Sequence, residues 1–141
     1  MATTYDVCLV VWTQTLTLPE LTRFIGVDPS SGSHSKGEPH LISSRGEWKS
    51  TMWQLCSRSD AGAPLERHFE DIAEQLQTGS FGDLRSLVTD AEVFMSVGVF
   101  SSSHVPAVDL TRRCLDIADA HQASIEVKVY AQERDRRATA A

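Results

Sequence analysis

Two stretches of this chain, "YDVCLVVW" at residues 5–12 and "AEVFMSVGVF" at 91–100, are apolar on both faces when read as strands. In the first, Tyr5, Val7, Leu9 and Val11 alternate with Cys8, Val10 and Trp12; in the second, Val93, Met95, Val97 and Val99 alternate with Phe94, Ser96, Gly98 and Phe100. Strands of that kind belong inside a sheet, because a half-solvated strand reads as apolar against polar. The two are therefore expected to be neighbours in the middle of one sheet.

Weaker strands flank them in sequence. "MWQLCS" places Trp53 and Leu55 on one face and Gln54 on the other, an edge pattern, and "SIEVKVYA" alternates Ile125, Val127 and Val129 with Glu126, Lys128 and Tyr130. Between the strands lie helical signals. "TLPELTRFIG" carries a capping box at Thr17 and Glu20, Pro19 in the first turn, a stripe of Leu21, Phe24 and Ile25, and Gly26 as a stop. Pro64 opens a helix to about Thr78 with Leu65, Phe69, Ile72 and Leu76 as its seam. "FGDLRSLVTD" reads as a short helix or turn. Pro106 precedes a helix to about His121 with Leu110, Cys114, Leu115 and Ile117 inward, and Asp109 stands four residues before Arg113 in the order that favours a surface ion pair.

The order β-α-β-α-β-α-β reads as two β-α-β units, expected to cross over right-handed and joined by a helix. The expected architecture is an α+β, ferredoxin-like two-layer sandwich: a four-stranded, mainly antiparallel sheet with helices on one face. The competing doubly wound parallel sheet would bury both sides of the last strand, against its charged second face. A single domain is expected over residues 1–132, with 133–141 a flexible tail lacking any apolar pattern. At 141 residues, one domain can bury roughly 70% of the surface that the unfolded chain exposes.

The net charge of -6 disfavours nucleic acid, whose phosphates call for clustered Lys and Arg. No stretch is apolar over a membrane-spanning length, and the N-terminus has no basic leader region. Three cysteines, Cys8, Cys56 and Cys114, lie far apart in apolar surroundings. They read as buried thiols in a reducing cytoplasm.

At "GVDP", "KGE", "MWQLCS", "PLERHFEDIAEQL" and "SIEVKVY", the chain resembles the bacterial family called domain of unknown function 4279. The likeness runs from Tyr5 to Tyr130: a Gly-x-x-Pro turn at Gly26 and Pro29, a Lys-Gly pair at Lys36 and Gly37, a Trp-x-Leu strand at Trp53 and Leu55, a helix His at His68, and a closing strand ending at Tyr130. "ADAHQAS" departs from it, since similar proteins have a Leu-Gly turn there. The resemblance implies one compact domain and carries no reaction with it.

Several groups of residues invite chemistry. The segment from Pro29 to Glu47 exceeds the roughly 12–15 residues of an ordinary connection. Its sequence "GSHSKGE" lacks the phosphate-loop pattern, while His34, Glu38 and His40 are candidate metal ligands without a standard zinc spacing. The plainer reading is a solvated excursion that lays a few residues against the sheet edge. His68 sits among Glu66, Glu70 and Asp71. If the Lys36 loop folds over that helix, Lys36, Trp53 and His68 line one cleft; otherwise His68 is a half-buried residue of the helix seam. No Gly-x-Ser-x-Gly elbow accompanies the serines, and Cys56 and Cys114 sit in apolar patterns unsuited to a nucleophile.

A partner surface is the remaining candidate. Trp12, Phe94, Phe100 and Tyr130 fall opposite the helix-packed set and need a cover, which a second copy of the chain or the long loop supplies more readily than a bound ligand. Glu66, Glu70, Asp71 and Glu74 make the 65–78 helix acidic, a face that is either solvated or steers a basic partner. The expectation is a non-enzymatic cytoplasmic interaction module for a protein partner, basic or a second copy, in the manner of an immunity-type antagonist, with no cofactor, nucleic acid or membrane. The alternative is a small-molecule or metal-dependent enzyme using the 34–40 loop and His68.

Overall fold

The computed structural model describes residues 3–40, 42, 45–77, 89–103 and 106–131. Four strands, β1 (Thr4–Thr13), β2 (Thr51–Cys56), β3 (Glu92–Ser101) and β4 (Ser124–Ala131), alternate with helices α1 (Leu18–Ile25), α2 (Leu65–Gln75) and α3 (Arg112–Ala120). The strands form one sheet in the order β2-β1-β3-β4. The two doubly apolar strands are central neighbours, with Leu9 facing Met95 and Val7 facing Val97. β1 runs antiparallel to both β2 and β3, and β3 runs parallel to β4.

This is the expected α+β sandwich on a mixed sheet, with one difference in its first half. β1-α1-β2 is not a parallel crossover, because β1 and β2 run antiparallel. The β3-α3-β4 passage keeps its ends parallel. The alternating pattern of β1, β2 and β3 sends one row of each into the core. Val7, Leu9 and Val11, Trp53 and Leu55, and Val93, Met95, Val97 and Val99 cluster with Leu21 and Ile25 of α1, Leu65, Phe69 and Ile72 of α2, and Cys114, Ile117 and Ala118 of α3.

The helix ends follow local chemistry. The Thr17–Glu20 capping box closes the start of α1, and Gly26 ends it at φ 82°, its N–H donating to the Thr22 carbonyl. α3 begins at Thr111 rather than after Pro106. Thr111 accepts the Cys114 N–H and donates to Glu66 Oε1 at 2.6 Å, so the cap is tied to α2 as well. Asp109 and Leu110 therefore precede the helix, and Leu115 is exposed instead of inward. α3 ends with Gln122 at φ 53°, the left-handed conformation that a glycine takes most easily. Residues 81–88 of the helix or turn expected over 81–90, and the 133–141 tail, lie outside the described residues. None of the described helices is long and apolar enough to cross a membrane.

Candidate functional site

The 26–40 segment is edge structure. After Gly26 the chain turns back along the outer side of β2: the Ser30 N–H donates to the Gln54 carbonyl, the Cys56 and Gln54 N–H groups donate to Ser30 Oγ and Ser33 Oγ, and His34 and Met52 exchange two backbone bonds. The Lys36 N–H then donates to Thr51 Oγ1, whose hydroxyl donates to the Leu16 carbonyl. β2 thus loses the free row of donors and acceptors that an edge strand offers to strangers.

Its histidines pack on an indole ring. His34 stacks on Trp48 with ring centroids 3.7 Å apart, and His40 lies against it at 3.8 Å, tilted by 30°. Two rings at such distances cannot share one face of the indole, so Trp48 lies between them. Glu38 holds Trp48 through the backbone, its carbonyl accepting the Trp48 N–H. Among the described residues no group of three or more His, Cys, Asp or Glu side chains is placed to hold a metal ion. The candidate set His34, Glu38 and His40 is therefore not convergent. Burial lowers the His34 pKa, and His40 adds to that, while the Gly32 and Ser50 carbonyls and Glu38 oppose it.

The expected cleft of Lys36, Trp53 and His68 does not form. Trp53 is wholly inside the core. The Lys36 backbone is bonded at Thr51, the first residue of β2, and His68 at Ser57, just past its last, about 20 Å apart at the rise of a strand. His68 instead has surroundings of its own. Its Nδ1 lies 2.8 Å from Ser57 Oγ, Tyr5 packs edge-on at 6.0 Å, and Nε2 is buried with no hydrogen-bond partner. A cleft of about 470 Å³ is lined by His68 with Thr4, Tyr5, Asp6, Ser57 and Phe100 among others. Burial lowers the His68 pKa; the Ala63 and Ala61 carbonyls, Asp71 and Asp6 oppose this only in part. The ring is therefore neutral near pH 7. Neither Ser57 nor Tyr5 carries a sequence signal that ties it to His68.

The acidic face of α2 is partly consumed by the fold. Asp71 accepts from the Arg58 guanidinium at 2.9 Å, from the Arg58 N–H and from Gln75. Burial would raise its pKa, but these donors together lower it. Glu66 accepts from Thr111, leaving Glu70 and Glu74 for solvent.

Among the described residues, no helix packs on the second face of the sheet. Across it run the rows Met52–Trp12–Glu92, Gln54–Val10–Phe94–Ser124, Cys56–Cys8–Ser96–Glu126, Asp6–Gly98–Lys128 and Thr4–Phe100–Tyr130. Trp12 tilts against Phe94 at 6.4 Å and Phe100 stacks on Tyr130 at 5.0 Å. Trp12 is 43% and Tyr130 47% exposed. Gly98 leaves room for the Phe100 ring, which a Cβ there would meet at 3.4 Å. The described part of the long loop touches the rim of this face, where Gln54 Nε2 donates to the Ser31 carbonyl. A groove of about 420 Å³ runs past Trp12, Phe94, Met52, Glu92, Glu126 and Lys128.

In the middle of the face Cys8 and Cys56 form a disulfide. Two of the three expected buried thiols are therefore oxidised, and only Cys114 is a buried free thiol. The thiol argument for a reducing compartment no longer holds, since structural disulfides persist in oxidising surroundings.

The family model "Domain of unknown function (DUF4279)" matches residues 2–132. The chain belongs to the DUF4279 family. The match covers the whole described sheet and its helices, so the His68 cleft and the open aromatic face both lie within the DUF4279 domain. No curated protein and no solved structure matches the chain.

Proposed function

We propose that this domain is a non-enzymatic binding module, and that its helix-free sheet face receives a positively charged segment of a protein partner. The observation that carries the reading is the Trp12–Phe94 pair, with Trp12 exposed and Phe94 half-buried, bordered by the Glu92 carboxylate and by the Glu126–Lys128 ion pair. Aromatic faces next to carboxylates suit Arg and Lys side chains, which gain both cation–π and ionic contacts there. The net charge of -6 adds long-range attraction for such a partner. The sheet face replaces the acidic helix as the primary contact, because Asp71 and Glu66 are already engaged within the fold.

A titration with an oligo-arginine peptide tests this, with oligo-glutamate as control. Binding is expected to weaken with salt and to fall about threefold or more in Trp12→Ala and in Glu92→Gln, while both variants unfold at the wild-type denaturant concentration. Affinity that ignores Trp12 and Glu92 would overturn the assignment of the face.

A second reading rests on His68. A buried imidazole with an unpartnered Nε2, bonded to Ser57 at the wall of a cleft, favours a small polar ligand there.

A further inference from the structure

β4 ends the sheet, and among the described residues nothing pairs with its outer edge. Its helix-side row is apolar yet uncovered: Val127 is 37% and Val129 52% exposed, whereas Val97 and Val99, their partners in β3, are wholly buried. Its other row carries Glu126 and Lys128, 3.2 Å apart, and Tyr130.

The sequence of this strand is complementary to itself about Val127. We infer that β4 pairs antiparallel with β4 of a second copy around a two-fold axis at Val127, joining two sheets into one. In that register Glu126 faces the partner's Lys128 and Lys128 faces the partner's Glu126, giving a ring of four alternating charges. On the helix side Val127 meets the partner's Val127, and Ile125 meets the partner's Val129. Ser124 faces the partner's Tyr130. The contact is isologous and closes at two copies, leaving no free edge at that side. A lysine on an edge strand ordinarily deters pairing; here it selects the register. Moving the axis to residue 126 or 128 sets Glu126 against Glu126 or Lys128 against Lys128, and like charges directly opposite disfavour both. Main-chain hydrogen bonds along the paired edges supply affinity, as in strand-addition complexes. The inference does not depend on the binding role of the open face.

Sedimentation of the full-length chain over a range of concentrations tests it. The wild type is expected to dimerise. Glu126→Lys and Lys128→Glu, each checked as folded by circular dichroism, are expected to dimerise about tenfold more weakly or worse, because each sets like charges opposite one another twice. An equimolar mixture of the two variants restores opposite charges at both positions and is expected to recover wild-type association. A wild type that stays monomeric throughout, a dimer indifferent to both substitutions, or a mixture as weak as either variant alone would overturn it.

Discussion

Cys8 faces Cys56 across the β1–β2 pairing, and their sulfurs are bonded to each other. The Cys56 N–H points away from β1, to Ser30 Oγ, so the two residues form a non-hydrogen-bonded pair, the antiparallel site where side chains approach most closely. The bond fastens the short β2 and the loop along it to the centre of the sheet.

The link spans 48 residues, for which loop entropy in the unfolded chain gives a stabilisation of up to about 4 kcal/mol. Cys8→Ala/Cys56→Ala is expected to lose about 2–4 kcal/mol in urea unfolding. Alkylation of the unfolded protein without reductant is expected to label Cys114 alone; labelling of all three cysteines would remove the bond from the account.

Stability should fall on the acid side, and the sign follows from two buried histidines. His34 and His68 both have pKa values lowered, chiefly by burial, from 6.5. Above that value both the folded and unfolded chains hold these rings neutral, and they add no pH dependence. Below it the unfolded chain binds protons that the folded chain refuses, so stability is lost as pH falls until the folded-state values are reached. Denaturant midpoints between about pH 7.5 and 5 should show this slope, reduced in His68→Asn and further in His34→Asn/His68→Asn. An undiminished slope in the double variant would place its source elsewhere. A small polar ligand in the His68 cleft should raise the melting temperature of the wild type but not of His68→Asn, read over a panel of small alcohols and amides; no shift would sink this second reading.

Gln122 is the described non-glycine residue with positive φ, at 53°. A side chain in that conformation costs on the order of 1 kcal/mol, part of which glycine returns through its freer unfolded state. Gln122→Gly is therefore expected to stabilise the fold by up to about 0.5 kcal/mol, seen as a higher melting temperature. A decrease would mean that the Gln122 side chain makes contacts worth more than the strain.

Much of the fold was legible in the chain. The alternation in β1 and β3 placed them at the centre, and the capping box and Gly26 set both ends of α1. α3 starts at Thr111 and not after Pro106, because proline is only a permissive signal while Thr111 has a partner on another helix, Glu66, that no local pattern contains. The candidate site was less legible. Parity put Trp12, Phe94, Phe100 and Tyr130 on one face, but Lys36, Trp53 and His68 were grouped on a loop path the sequence does not encode. The backbone groups of β2 drew that loop along the edge, away from α2.

By itself, then, the sequence determined which residues share a strand face and where helices stop, since both depend on neighbours a few positions away. Only the tertiary structure decided that Cys8 and Cys56 meet, that Ser57 reaches His68, and that two histidines enclose Trp48. Those contacts require a register between strands and a path for a loop, which are chosen by the packing and hydrogen bonding of the whole sheet.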